Sequence, residues 1–161
     1  MLLEKLLAEK PYLLADGAIG TNLFERGLQS GDAPELWNVD QPEKIQGLHQ
    51  DFVDAGADII LTNTFGCNAR RLMLHNAQSR TYELNVAAVK LAKAAAATAD
   101  RPVVVAGSVG PTGDLLFPLG PLTEVEATAV FVEQMQALKD AGADVAWIET
   151  MSSLEEIRAA S

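Results

Sequence analysis

Apolar residues in this chain follow two rhythms. Four short unbroken runs, Tyr12–Ala15, Asp58–Leu61, Val103–Ala106 and Val145–Ile148, alternate with long stretches whose apolar positions recur every three or four residues. Short continuous runs predict parallel strands covered on both faces. The slower rhythm predicts helices. Ile45, Leu48, His49, Phe52 and Val53 share one helical face, with Pro42 suited to the first turn and Gly56 to the C-terminal cap. Leu84, Ala87, Ala88, Leu91 and Ala95 form a second stripe, and Ala94–Ala99 belongs to that helical pattern. Thr123-Glu124-Val125-Glu126 reads as a capping box ahead of Phe131, Met135 and Leu138. Ser153-Leu154-Glu155-Glu156 offers another, opening a last helix. Met1–Leu7 is a short amphipathic helix.

The order is strand, long connection, helix, repeated. Asp54-Ala55-Gly56-Ala57-Asp58-Ile59 returns as Asp140-Ala141-Gly142-Ala143-Asp144-Val145, closing a helix and opening a strand each time. Connections after the strands are long, Gly17 to Gln41, Asn63 to about Ser79, and Gly107 to Leu122, whereas the turns before them are short. Loops that long in a compact domain usually carry function. Repeated helix–Gly–strand–polar units predict an α/β fold, the (β/α)8 TIM barrel, with its chemistry at the strand C-termini. A complete barrel takes about 250 residues. The 161 residues therefore predict one domain, 1–161, the N-terminal half of a barrel with about four β/α units, truncated after the fourth strand. A doubly wound open sheet is the rival, but no G-x-G-x-x-G follows the first strand.

Charge narrows the partners. The formal charge is −10, and no basic stripe offsets it, which argues against nucleic acid and anionic membranes. No apolar run nears the ~20 residues of a membrane span, and the N-terminus lacks the apolar core of a signal peptide. Cys67 is the only cysteine, so no disulfide framework forms, and a reducing, cytoplasmic setting fits.

Candidate chemistry lies after each predicted strand. Asp16-Gly17-Ala18-Ile19-Gly20-Thr21 offers a carboxylate for an ammonium group and backbone amides for a carboxylate; the alternative is a tight turn capped by Asp16. Thr62-Asn63-Thr64 can bind without adding charge, or can satisfy loose strand-end backbone groups. Gly107-Ser108-Val109-Gly110-Pro111-Thr112-Gly113 could cradle an anion but is no P-loop. Glu149 follows Trp147-Ile148 and faces the same mouth, or pairs with a neighbouring loop. Together Asp16 and Glu149 suit a cationic amino group. Trp37 could hold a quaternary ammonium by cation–π attraction, although packing is the commoner role. Cys67 has no His or Cys at metal-ligand spacing, and His49 and His75 read as structural or solvated.

These motifs, in order, resemble the homocysteine S-methyltransferase family: Leu14–Thr21, Ala55–Asp58, Thr62-Asn63-Thr64-Phe65-Gly66, Gly107–Gly113 and Ile148-Glu149-Thr150. Ser30–Asn38 looks most like bacterial betaine-type members. The resemblance covers the chain from about Leu13 onward. It implies a (β/α)8 barrel that transfers a methyl group from a small-molecule donor such as betaine to homocysteine, giving methionine. It also implies a zinc ion that activates the homocysteine thiol, since a bound metal lowers a thiol pKa. By this resemblance the amino-acid site falls on Asp16, Gly17, Thr62 and Glu149, with Asn63 and Ser108 as neighbours, and Trp37 on the donor side. The zinc cysteines of the family follow later strands, so they are expected in a C-terminal half beyond these residues. Cobalamin or folate stays open as the donor system.

Three functional readings stand at this stage. The first is the front half of a methyltransferase, inactive until its other half complements it. The second is a non-catalytic half-barrel binding module whose open edges call for self-association. The third is another barrel enzyme such as an aldolase, disfavoured because no lysine ends a predicted strand.

Overall fold

The computed structural model describes residues 1–161. Helix α1 (Leu2–Glu9) comes first, then the short α2 (Ile19–Glu25), a 3-10 turn at Pro34–Leu36, α3 (Trp37–Asp40) and α4 (Pro42–Asp54). Strand β1 (Ile59–Leu61) leads through α5 (Ala69–Met73) and a 3-10 turn at Gln78–Arg80 to α6 (Thr81–Ala96). Strand β2 (Val104–Val109), α7 (Glu124–Asp140), β3 (Val145–Ile148) and α8 (Leu154–Ala160) complete the order. The sheet runs β1-β2-β3, all parallel, with Ile59 opposite Val104 and Ala106 opposite Val145.

Alternation along the strands divides the core. Ile59, Val104 and Ala106 pack with Leu6 of α1, while Ile60 and Val105 meet Val53, Ala92 and Ala95 from α4 and α6. A third cluster joins Val109 to Val89, Phe131 and Leu138, seating α7. Both faces of β2 are therefore buried, as a continuous apolar run predicts. β3 departs from that expectation. Its residues alternate between half-buried and exposed, because β3 has a strand neighbour on one side only.

Two other expectations need correction. Four strands were expected, and three form. Tyr12–Ala15 contributes one parallel bridge, Ala15 to Ile59. The Leu14 N–H is the reason: it donates to the Asp58 carboxylate at 3.0 Å instead of extending a ladder. The long connections also hold structure, since α2, α3 and α5 lie inside stretches read as loop. Of the two capping boxes, the one at Thr123 is complete, with Thr123 N donating to Glu126 Oε2 at 2.9 Å. At Ser153 only half forms: Ser153 Oγ accepts from Glu156 N at 3.1 Å, but the Glu156 carboxylate is used elsewhere.

The repeated motif is a latch. Gly56 and Gly142 sit at φ +99° and +90°, the left-handed conformation that ends each helix. Two residues on, Asp58 accepts from Leu14 N and from Lys10 Nζ at 2.6 Å. Asp144 does the same one unit later, from Val105 N at 2.8 Å and Lys93 Nζ at 2.7 Å. Each aspartate thus ties its strand to the backbone of the segment before it. Lys10 and the Leu14 amide hold the Asp58 carboxyl below the usual range. Its contribution to stability is present above the ordinary carboxylate pKa and is lost as pH falls through the lowered folded value. Asp58→Ala leaves a shielded amide unpaired and is expected to cost about 2 kcal/mol. Urea unfolding at pH 7 measures it; an unchanged midpoint would refute the latch.

Candidate active site

A cavity of about 280 Å³ opens at the C-terminal ends of the strands. Five of the seven predicted site residues line it: Gly17, Thr62, Asn63, Ser108 and Glu149. Thr62 and Asn63, Ser108, and Glu149 come from the ends of the three strands, and Gly17 follows the segment bridged to β1 at Ala15, so parallel pairing is what brings them together. Ser108 lies inside β2, which runs three residues past the predicted strand end at Ala106, where a loop is expected. Val109 follows it before the chain leaves the sheet.

The polar groups form one connected set. Thr62 Oγ1 and Thr64 Oγ1 lie 2.6 Å apart, and Thr62 Oγ1 accepts from Ser108 N at 3.1 Å. Ser108 Oγ donates to Glu149 Oε1 at 2.7 Å, so the glutamate is held by a hydroxyl and carries no cationic partner from the chain. Asn63 lines the wall with its amide NH2 already donating to Pro34 O at 2.8 Å and Asn38 Oδ1 at 3.0 Å. Thr62-Asn63-Thr64 therefore satisfies the strand end, as one of the two readings expects, and these residues also line the cavity.

Asp16 stands just behind the lining, with Oδ2 accepting from Leu61 N at 2.8 Å. Burial pushes its pKa up to about 6, against the pull of the Leu61 amide, and the Glu149 charge adds to the rise. Two acids with no cation between them favour a positively charged ligand. The N–H groups of Gly17 and Ala18 have no acceptor within the chain, and both residues line the same cavity. One cavity thus combines acids with free amides, which suits an amino acid.

Trp37 is not brought to the cavity. It packs against Leu23, Leu28, Ile45 and Leu48, and Lys44 Nζ lies 4.4 Å from its ring centroid. The Gly-rich turn is not an anion cradle either: Thr112 N donates to Glu156 Oε1 at 2.9 Å, so the chain supplies its own carboxylate there. Sequence reasoning missed Glu35 and Phe65, which line the cavity. Glu35 is buried and accepts from Gly66 N at 2.8 Å; burial raises its pKa. A Cβ at Gly66 would sit 2.7 Å from Glu35 Oε1, so a side chain there would push the carboxylate aside. An acid directly after Pro34, within an apolar stretch ending at Trp37, was the available signal.

The residues present do not fit a zinc ion. Cys67 is buried among Leu72, Ala77 and Leu84, and burial holds its thiol well above the ordinary range. No three His, Cys, Asp or Glu side chains converge on a point. His49 is buried, with its pKa lowered to about 4 by that burial, and neither ring nitrogen has a partner. No helix is long and apolar enough to cross a membrane.

Comparison with known proteins identifies the family. A family profile described as homocysteine S-methyltransferase matches residues 13–161. The homocysteine S-methyltransferase of Escherichia coli (strain K12) is 36% identical over 178 aligned positions, covering 98% of this chain and 56% of that protein. A methionine synthase of Mycobacterium tuberculosis is 31% identical over 157, covering 92% of this chain and 13% of that protein. The metallated form of the E. coli homocysteine methyltransferase MmuM superposes with a TM-score of 0.84 at 29% identity, over 99% of this chain and 60% of that one. The chain thus spans less than two thirds of the length of each of these relatives. By profile, sequence and fold alike, the chain belongs to the homocysteine S-methyltransferase family.

Proposed function

We propose that residues 1–161 form the amino-acid-binding half of a homocysteine S-methyltransferase, the N-terminal half of a (β/α)8 barrel. The observation that carries this reading is the cavity at the strand C-termini, lined by Glu149 and by Gly17 and Ala18 with their unpaired amides, with Asp16 next to Gly17 in the chain. The ammonium group of homocysteine is placed near Glu149 and Asp16, and its carboxylate at the two amides. Thr62 and Ser108 fix the wall between them.

Methyl transfer needs the sulfur as a thiolate, which a metal supplies in a family that includes a metallated member. Since residues 1–161 offer no donor set, that metal is assigned to residues outside this range. The methyl donor is a small cationic molecule or a methyl-carrying cofactor; a donor-side role for Trp37 would require Lys44 to leave its ring. The free edge of β3, beside a groove lined by Met135, Leu138, Ala143 and Val145, is where further strand–helix units would continue the barrel.

Calorimetric titration with L-homocysteine tests the reading. Glu149→Gln keeps the Ser108 hydrogen bond and removes one charge, so affinity is expected to fall by about 100-fold, the usual size of a lost shielded charge pair. A wild-type chain that ignores homocysteine, or a Glu149→Gln chain that binds it equally well, refutes the site.

A further inference from the structure

Gln134 reaches the site from behind. It lies on α7, fully buried, and its Nε2 donates to Thr64 O at 2.8 Å, with Ser108 O at 3.4 Å and Asn85 Oδ1 at 3.5 Å. Three oxygens facing one nitrogen fix which way the carboxamide points. Its other atom, Oε1, is buried with no partner. An unpaired buried acceptor lowers stability, so its presence in a native fold asks for a reason.

Backbone satisfaction is not that reason. Thr64 O already accepts from Cys67 N at 3.0 Å, and Ser108 O from Thr64 Oγ1 at 2.7 Å. Gln134 adds a tie between the ends of β1 and β2. Ser108 is then held through its main chain on both sides, its N–H on Thr62 Oγ1 and its carbonyl under Thr64 Oγ1 and Gln134 Nε2. The hydroxyl that remains is the one that donates to Glu149 Oε1 at 2.7 Å.

We propose that Gln134 is a positioning residue of this cavity: it fixes the Ser108–Glu149 pair toward the ammonium group of the bound amino acid, and the fold carries an orphaned carbonyl for that purpose. The inference rests on the homocysteine reading above. Gln134 touches no ligand; it acts through Ser108, as groups that support a binding constellation do.

Gln134→Met has similar length, removes the tie, and exchanges one orphaned acceptor, Gln134 Oε1, for another, Asn85 Oδ1. The expected result is a nearly unchanged Tm, with L-homocysteine affinity weakened at least tenfold by calorimetry. A purely structural glutamine would give the reverse, a lower Tm with unchanged affinity, and that outcome overturns the proposal. Should the variant fail to fold, the side-chain amide resonances of Gln134 in the wild-type chain are followed by NMR through a homocysteine titration. A shift supports the coupling, and unmoved resonances at saturation overturn it. Wild-type binding with equal affinity in the variant defeats this inference alone. No binding by the wild type defeats it together with the reading of the site.

Discussion

Asp16→Asn is expected to stabilise the chain at pH 8 and to cripple its grip on an amino acid. The two effects share one cause. In the folded chain the Asp16 carboxyl has its pKa pushed up to about 6 from 3.8 by burial, with the Glu149 charge adding to it. Ionising it in place is therefore unfavourable. Below about pH 4 both folded and unfolded chains hold the proton and there is no penalty. Between the ordinary value and the folded value the unfolded chain ionises first, so stability falls as pH rises, and above about pH 6 the whole penalty of about 3 kcal/mol is present. Asparagine cannot ionise and still accepts from Leu61 N, which Asp16 does at 2.8 Å. The stabilisation should accordingly be close to zero at pH 4 and approach its full size at pH 8, visible in thermal melts at the two values. The same charge that destabilises the empty fold attracts an ammonium group, so homocysteine affinity should drop by about 100-fold in the variant. In the wild type it should weaken as pH falls below about 6. An identical melting temperature at pH 8 would show that Asp16 bears no burial penalty.

Much of this site could be read from the sequence because strand-end chemistry leaves a local signature. A polar residue ending an apolar run marks Thr62 and Glu149 without knowledge of what lies opposite, and the parallel sheet then brings them together. What the sequence did not reveal depends on partners far along the chain. The repeated aspartates are visible, but their lysines lie 48 and 51 residues away and give no periodic cue. The segment Tyr12–Ala15 has the apolar content of a strand, yet whether it builds a ladder turns on one side chain, Asp58, taking the amide that the ladder needs. Trp37 lies elsewhere. The resemblance puts it on the donor side, whereas in the structure it packs on the α4 face formed by Ile45 and Leu48. Gln134 did leave a trace: it is a polar residue between Phe131 and Leu138 on the face that α7 buries.

Glu156→Leu is expected to be the most damaging single substitution outside the cavity, costing about 3–5 kcal/mol. Glu156 is fully buried on α8 and has no cationic partner. Its Oε1 accepts from Thr112 N at 2.9 Å and Thr112 Oγ1 at 2.8 Å, and its Oε2 from Ser152 N at 3.0 Å and Ser152 Oγ at 2.5 Å. Burial alone would raise its pKa, but the donors of Ser152 and Thr112 outweigh that and hold the carboxyl below its ordinary 4.5. Leucine fills the volume and strands two amides. The carboxylate contributes stability above the ordinary pKa, and that contribution is lost as pH falls through the lower folded value. Wild type and variant should therefore differ fully at pH 7 and converge in acid. Glu156→Gln keeps one acceptor but turns an NH2 toward a backbone N–H that can only donate, while the hydroxyl beside it can turn to accept, so it should fall between the two. The damage reaches the site by a traceable route. Glu156 anchors Thr112, two residues from Gly110, and Gly110 N donates to Phe65 O at 3.1 Å, where Phe65 lines the cavity. A Cβ on Gly110 would lie 2.6 Å from that same oxygen, so the loop fits against the cavity wall with no room to shift. Hydrogen exchange should thus accelerate at Gly110 and Thr112 in Glu156→Leu before global unfolding. Exchange confined to α8 would show that the anchor stops at the helix and does not reach the site.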